Sequence, residues 1–210
     1  MEAQDRKKLL EIARRRAGAG TGSALSAIRE EGAAYGPDVE LPELGDLSYI
    51  IVGGLATAKY MPQRMTVDTD ILILSEDLGA AEHLLEKSGC RRIGPLSIGG
   101  SSWCLPGGRS LDLIALDRPW VREALTSAVR DRNGFPYASL PFLVLMKLES
   151  GRLQDLADIS RMLGCAEAVQ VREVRTVLVR YRPEDIDDFE SMLRLGRLEH
   201  GQASSSSRPD

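Results

Sequence analysis

At 210 residues and a formal net charge of −4 at pH 7, the chain has the size of one domain with an appendage or of two small domains. The mild acidity excludes a global attraction to nucleic acid, although a local basic patch stays possible. No apolar run is long enough to cross a bilayer, and the three cysteines are scattered. We therefore expect a cytoplasmic protein without membrane contact, disulfide or zinc site.

The first 46 residues are predicted to form a helical extension. Residues 3–17 and 23–31 have helical apolar periodicity, and residues 32–46 are rich in glycine, proline and acids, as in a connector. Basic runs occur at residues 6–8 and 14–16. They are either a solvated helix face or a contact for RNA or a nucleotide phosphate, and we favour the solvated face.

Residues 47–138 alternate between strand and helix patterns. The predicted elements are a strand over 49–52, a helix over 55–60, a strand over 69–74, a helix over 77–88, an edge strand over 91–98, a hairpin of 101–105 and 110–116, and a helix over 119–130. This order predicts an α/β (α+β) fold in which a mixed sheet is flanked by helices.

From residue 139 the pattern is helical only. The predicted helices cover residues 142–149, 152–163, 167–180 and 183–195, and they define a helical C-terminal lobe over residues 139–200. The final stretch, residues 201–210, is polar and serine-rich, so we predict a disordered tail.

Asp68 and Asp70 open the predicted strand Thr69–Leu74. In a strand, residues i and i+2 point to the same face, so the two carboxylates repel each other unless a cation lies between them. Carboxylate oxygens are the ligands that Mg²⁺ prefers. The alternative is a turn-rich Asp-Thr-Asp cap at the start of a strand, and without further acids this alternative would be favoured.

Asp112 lies at the centre of the apolar strand SLDLIAL. A charge at such a position is costly unless it is paired or bound to a metal. If this strand neighbours the strand that contains Asp70, three carboxylates converge, which is the arrangement of a two-metal phosphoryl-transfer site. The alternative is an outward-facing acid on an edge strand.

The Gly53-Gly54 turn precedes these acids in the chain. Glycine allows the backbone to approach a phosphate closely, and a helix that begins after the turn offers free N–H groups. The alternative is an ordinary strand-to-helix turn. The segment is not a P-loop, because no Gly-Lys-Ser/Thr follows.

Together these residues resemble a known signature. Gly53-Gly54, thirteen residues, Asp68-Thr69-Asp70 and the later Asp112 resemble the DNA polymerase β-like nucleotidyltransferase superfamily. Minimal bacterial AbiEii-type transferases have a version of this signature that is similar to the segment Arg64-Met65-Thr66-Val67-Asp68-Thr69-Asp70. The helix pair of that group, with its Lys…Arg-x-x-Asp-x-x-Asp pattern, is similar to the later set of Lys147, Arg152, Asp155 and Asp158. The resemblance covers roughly residues 48–163. It departs at Gly54, where many members have serine, and at Thr69, where an apolar residue is usual.

The resemblance implies a fold, a reaction and a role for each residue. The fold would be a polymerase-β-like sheet with a helical lobe, and the active site would lie between them. Asp68 and Asp70 would hold two Mg²⁺ ions, and Asp112 would bind the ion at the attacking oxygen and help to deprotonate the acceptor. The Gly53-Gly54 turn would bind the β- and γ-phosphates of an NTP such as ATP, and pyrophosphate would leave.

The remaining site residues have two interpretations each. Lys147 either contacts the triphosphate or is a snorkelling lysine at a helix edge. Arg152, Asp155 and Asp158 share a helix face, and they either bind the nucleotide or form an ion-pair network that fixes Lys147 and Arg64. Arg64, with Thr66 nearby, either binds phosphate or acceptor or pairs with these acids.

The predicted function is Mg²⁺-dependent transfer of an NMP from an NTP to an acceptor hydroxyl. The resemblance points to toxin-like enzymes of toxin–antitoxin systems, whose acceptor is RNA, such as tRNA, or protein and whose partner is a cognate antitoxin. The alternatives are a small-molecule (antibiotic) nucleotidyltransferase and an inactive nucleotide-binding or interaction module of the same fold. Trp103 and Arg109 could flank a base or acceptor, but a core aromatic and an exposed turn cation are favoured.

Overall fold

The structure is a computed structural model that describes residue 39, residues 41–61, residue 66 and residues 68–206. The chain divides into two compact units. The sheet unit contains residues 39, 41–58, 66 and 68–139, and the helical unit contains residues 59–61 and 140–206. Within the described part, no helix has the length and apolarity needed to cross a membrane.

Two parts of the predicted organisation fall wholly or partly outside the described residues. The helices predicted over residues 3–17 and 23–31 lie outside them, as does most of the connector. The four-part division into residues 1–46, 47–138, 139–200 and 201–210 stays a prediction.

The sheet unit contains one seven-stranded mixed sheet. Its elements are β1 (Ile50–Ile51), α1 (Gly53–Thr57), β2 (Thr69–Leu74), α2 (Leu78–Lys87), β3 (Arg91–Pro95), β4 (Gly100–Cys104), β5 (Ser110–Leu116), α3 (Val121–Thr126), β6 (Val129–Arg130) and β7 (Pro136–Tyr137), with a 3-10 turn at Ser75–Asp77. The strand order is β3-β4-β5-β2-β1-β7-β6. The predicted α/β class, a mixed sheet flanked by helices, is confirmed.

The centre of the sheet is the parallel pair of β2 and β5. Both strands have the bounds that the sequence predicts, because each is mostly apolar, as in strands that are buried on both faces, and a polar residue follows each directly. The strands beside this pair are antiparallel to it: β4 next to β5 and β1 next to β2.

The fully buried side chains of Ser101, Trp103, Ile71 and Leu113 share one face of the sheet, which we call the closed face, and this face is covered by helix α2. Its apolar side chains Ala81 and Leu85 are buried, and Glu82 accepts a 2.6 Å hydrogen bond from Ser101 on β4. The helix ends before Gly89, whose φ of +77° is the left-handed conformation that commonly terminates helices.

The prediction of a helix over residues 119–130 is wrong for the second half of this segment. Helix α3 ends at Thr126, and the chain then forms the hairpin of β6 and β7. The Asp131 side chain stabilises the turn by accepting 2.9 Å hydrogen bonds from the backbone N–H groups of Asn133 and Phe135, and Gly134 has a φ of +84°. The Asp-Arg-Asn-Gly segment is a turn signal of this kind.

The helical unit contains α4 (Leu140–Ser150), α5 (Leu153–Cys165), α6 (Ala168–Tyr181) and α7 (Ile186–Ser206), with a 3-10 turn at Pro183–Asp185. The four predicted helices are present, but α7 begins later and ends later than predicted. It continues through Gly201 to Ser206, although disorder was predicted from Gly201, because each residue added to an existing helix costs little. Residues 207–210 lie outside the described part.

Helices α5 and α7 pack closely at a pair of glycines. A methyl group on Gly196 would overlap the backbone oxygen of Ser160, and one on Gly164 would overlap the backbone oxygen of Gly196. The two helices can therefore approach this closely only because both positions lack a side chain.

Candidate active site

Asp70 and Asp112 lie side by side on the two parallel central strands. They are register partners in the pair of β2 and β5. Register partners on adjacent strands point to the same face of a sheet, and the strands are about 4.8 Å apart. The condition stated from the sequence, that the strand of Asp112 neighbours the strand of Asp70, is therefore met.

The side chains on either side of this pair show which face carries the acids. Ile71 and Leu113, the next residues along the two strands, are register partners and fully buried on the closed face. Asp70 and Asp112 are partly buried on the opposite face, at the end of the sheet where both strands begin. We call this opposite face the acid face.

Asp68 immediately precedes β2 and is also partly buried. Burial raises the pKa of its carboxyl group, and the negative charge of Asp112 raises it further. The electrostatic interaction of Asp68 with Asp112 means that the acids interact across the two strands. A cation bound here would remove the repulsion and favour the charged forms.

The Gly53-Gly54 turn closes against the acids. The backbone N–H of Val52 donates a 2.9 Å hydrogen bond to the backbone oxygen of Asp70. Gly53 has a φ of +59°, and a methyl group there would overlap the Asp70 carboxylate. Glycine is therefore needed at this position for two separate reasons, the left-handed backbone and the contact with the acid.

The second glycine makes space for Thr66. A methyl group on Gly54 would overlap the Thr66 hydroxyl, and this hydroxyl donates a 3.4 Å hydrogen bond to the backbone oxygen of Asp68. Helix α1 begins at Gly53, two residues before the predicted start, and ends at Thr57. The structure thus brings Gly53, Gly54 and Thr66 together with the acids, while Arg64 lies outside the described residues.

The side chains of the metal site expected from the sequence are not preorganised as metal ligands. In the described part of the chain, no group of three or more His, Cys, Asp or Glu side chains is arranged to hold a metal ion. The chemistry of the donors nevertheless fits Mg²⁺, because the carboxylates of Asp70 and Asp112 are register partners on one face of the strand pair and the carboxylate of Asp68 interacts electrostatically with Asp112.

The four residues predicted in the helical unit form one buried network. Lys147 Nζ donates hydrogen bonds to Asp155 Oδ1 at 2.9 Å and to Asp158 Oδ2 at 2.8 Å. Arg152 Nε and Ser150 Oγ each donate to Asp155 Oδ2 at 2.7 Å. Lys147 is 6% exposed, so it is not a snorkelling lysine at a helix edge.

The network holds Asp155 in its charged form. Burial would raise the pKa of this carboxyl group, but the charge of Lys147 and the hydrogen bonds from Ser150, Lys147 and Arg152 outweigh burial and lower the pKa. This is the geometry of the structural interpretation, in which the acids fix Lys147. A contact between Lys147 and a triphosphate stays a prediction.

Trp103 is a core residue, which was the favoured interpretation. It is fully buried on the closed face, and its Nε1 donates a 2.8 Å hydrogen bond to Ser101 Oγ. It therefore does not flank a base or an acceptor. The basic runs at residues 6–8 and 14–16 lie outside the described residues.

Comparisons with known proteins give only distant similarities. No family model and no curated protein matches the chain. A solution structure of the antibiotic-resistance factor ANT(2'')-Ia is similar with a TM-score of 0.40 and 15% sequence identity over 97% of this chain and 95% of that chain. A crystal structure of ANT(2'')-Ia in complex with adenylyl-2''-tobramycin is similar with a TM-score of 0.39 and 15% identity over 95% and 99%. Similarities at this level do not define the family or substrate of this chain.

Proposed function

We propose that the chain catalyses Mg²⁺-dependent nucleotidyl transfer from an NTP to an acceptor hydroxyl. The observation that carries this proposal is the register pairing of Asp70 with Asp112, with Asp68 two residues before Asp70. It gives two carboxylates on paired strands, Asp70 and Asp112, and a third, Asp68, that interacts electrostatically with Asp112, beside a glycine turn at one end of the sheet. Mutual repulsion makes such a group unfavourable unless it binds cations.

In this proposal, Asp68, Asp70 and Asp112 hold two divalent ions. When bound, the ions neutralise the triphosphate and stabilise the charge that develops during in-line displacement. The acceptor oxygen forms a bond to the α-phosphorus, the bond from the α-phosphorus to the bridging oxygen breaks, and pyrophosphate leaves. Asp112 accepts the proton of the acceptor hydroxyl.

The glycine turn supplies the donor side of the proposed site. The backbone of Gly53 and Gly54 would bind the β- and γ-phosphates through N–H groups, because no side chain stands between the backbone and the ligand. Thr66 would keep the loop before the acids in place through its contacts with Gly54 and with the backbone of Asp68.

The network of Lys147, Arg152, Asp155 and Asp158 belongs to the proposal as a second group of residues. Its contacts favour a role in fixing the pair of helices α4 and α5. A contact between Lys147 and the triphosphate would require Nζ to leave at least one of its two carboxylates, so it depends on rearrangement when the nucleotide binds. Arg64 keeps its two predicted roles, phosphate contact or ion-pair partner.

The proposal has two forms, which differ in the chemical class of the acceptor. An RNA or protein acceptor would make the chain a toxin-like enzyme with a cognate antitoxin as partner. A small-molecule acceptor would make it an antibiotic-modifying enzyme. The two similar structures belong to a protein named as an antibiotic-resistance factor, and for this reason the experiment includes an aminoglycoside as an acceptor.

Label transfer tests the proposal directly. The protein is incubated with each α-labelled NTP and Mg²⁺, and with total tRNA, total protein or tobramycin as the acceptor. We expect transfer to one acceptor pool, loss of transfer with EDTA, and loss in Asp70→Asn. The matched control is Asp117→Asn, because Asp117 is an exposed acid just beyond the other end of β5.

The outcomes separate the enzyme from an inactive module of the same fold. Mg²⁺-dependent thermal stabilisation by an NTP without transfer to any pool would favour the binding module and contradict the proposal. Unchanged transfer in Asp70→Asn would show that the acids are not the catalytic centre.

A further inference from the structure

Ser102 lies in the same row of the sheet as the acids. It is the register partner of Asp112 in the antiparallel pair of β4 and β5, and Asp112 is in turn the register partner of Asp70. The row therefore crosses three adjacent strands in the order Ser102, Asp112, Asp70. Its three side chains point to the acid face.

The residues on both sides of Ser102 fix its orientation. Ser101 and Trp103 are fully buried on the closed face, where Ser101 donates a hydrogen bond to Glu82 and accepts one from Trp103. Gly100 has a φ of +99°, and a methyl group there would overlap the backbone oxygen of Leu113, so only glycine fits where β4 begins beside β5. Ser102 is therefore held on the acid face.

The pattern of backbone hydrogen bonds brings Ser102 especially close to Asp112. Hydrogen bonds join Leu105 with Arg109 at one end of the hairpin and Ala115 with Gly99 at the other. Hydrogen-bonded pairs alternate along antiparallel strands, so the pair of Ser102 and Asp112 is a non-hydrogen-bonded pair. In such pairs the Cβ atoms are closest, at about 4.5–5.5 Å.

Both polar groups of this pair are available to a ligand. Ser102 is partly buried, and its hydroxyl has no hydrogen-bond partner among the described residues. Within the same part of the chain, the Asp112 carboxylate has no hydrogen bond or salt bridge. A hydroxyl that donates and accepts, next to a carboxylate that only accepts, is suited to bind a hydroxylated acceptor.

We propose that Ser102 binds the acceptor and places its attacking hydroxyl next to Asp112, so that the acceptor enters from the β4 side of the acid row. This inference rests on the proposed function, in which the acceptor oxygen attacks the α-phosphorus, pyrophosphate leaves and Asp112 receives the proton. It assigns the donor to the side of β1 and Gly53, and the acceptor to the side of β4.

Steady-state kinetics of Ser102→Ala test this assignment, with tobramycin and total tRNA as the acceptors and ATP as the donor. Loss of one neutral hydrogen bond should raise the acceptor KM about five- to tenfold and leave the ATP KM within about twofold. Ser102→Thr keeps the hydroxyl and should retain the wild-type acceptor KM. Ser101→Ala is the matched control: it removes a buried hydrogen-bonded hydroxyl, so it should lower the melting temperature without changing the acceptor KM.

Protection of Cys104 gives a second measurement that does not depend on turnover. Cys104 is partly buried, is two residues from Ser102 and therefore lies on the same face, whereas Cys165 is exposed in the helical unit. A bound acceptor should slow alkylation of Cys104 by iodoacetamide, measured by mass spectrometry, and leave Cys165 unaffected.

The outcomes distinguish this inference from the proposed function. If the wild-type protein transfers label while Ser102→Ala has an unchanged acceptor KM, or if the acceptor does not protect Cys104, the acceptor assignment is wrong and the proposed function stands. If the wild-type protein transfers label to neither acceptor nor to any other pool, both are wrong.

Discussion

Replacement of Gly53 by alanine should damage both stability and activity. Gly53 has a φ of +59°, and an added methyl group would overlap the Asp70 carboxylate. A left-handed backbone costs an L-residue about 1–2 kcal/mol. Displacing the Asp70 side chain from its rotamer adds about 0.5–1.5 kcal/mol. We therefore expect Gly53→Ala to lower the free energy of unfolding by about 2–3 kcal/mol.

Two control variants separate these contributions. Gly108 has a φ of +82° with nothing within 4 Å of an added methyl group, so Gly108→Ala carries the backbone cost alone. Gly79 is inside helix α2 with equally open space and no positive φ, so Gly79→Ala should stabilise the protein by up to about 1 kcal/mol. All three glycine-to-alanine substitutions lower the conformational entropy of the unfolded chain in the same way, so the differences among their free energies of unfolding arise in the folded state.

Thermal denaturation by circular dichroism and label transfer measure the two effects. For a chain of this length, about 2–3 kcal/mol corresponds to a decrease in Tm of about 5–10 °C. Displacement of Asp70 by about 1 Å should lower kcat on the order of 10²-fold. The reasoning is refuted if Gly53→Ala is no less stable than Gly108→Ala and transfers label at the wild-type rate.

Three further predictions concern the helical unit. Lys147→Met removes the cation that Asp155 and Asp158 share, and Asp155 keeps only its ion pair with the half-exposed Arg152. We expect a cost of about 3–5 kcal/mol in urea denaturation, whereas the exposed control Lys87→Met should stay within about 0.5 kcal/mol; equal costs would contradict the buried network. The folded-state pKa of Asp155 lies below the value of 3.8, so its stabilisation is complete above that pH and is lost as the pH falls through the lowered pKa. Between about pH 4 and pH 2 the wild type should therefore lose more stability than Asp155→Asn, and parallel pH profiles would oppose this. Gly196→Ala should lower Tm by several degrees, because the added methyl group meets backbone atoms of α5. The control Gly201→Ala should leave Tm unchanged, because the space around Gly201 is open. A Gly196→Ala variant with the wild-type Tm would argue against the close helix packing.

The sequence predicts those parts of the fold that depend on local pattern. Strands β2 and β5 have the predicted bounds because each is mostly apolar and is followed directly by a polar residue, Ser75 or Asp117. Hairpin β6–β7 was missed, although Asp131 and Gly134 carry a turn signal, because two-residue strands have no periodicity to detect.

The site is predicted less completely, because it depends on contacts between distant parts of the chain. Asp112 was recognisable as a costly charge in an apolar strand, and Asp70 as one of two like charges on one strand face, but the register of Asp70 with Asp112 is set by the packing of the whole sheet. The contact of Gly54 with Thr66 and the position of Ser102 beside Asp112 have no signal in the sequence. They become visible only once neighbouring strands and turns are in place.

The central claim is that Asp70 and Asp112 act as one catalytic unit, and a double-mutant cycle tests it most directly. Rates of label transfer with Mg²⁺ are measured for the wild type, Asp70→Asn, Asp112→Asn and the double variant, with melting temperatures to confirm folding. We predict a loss on the order of 10³-fold for each single variant and no further loss in the double variant, because residues that act together are not additive. Losses that multiply in the double variant, or transfer that survives in either single variant, would contradict the claim.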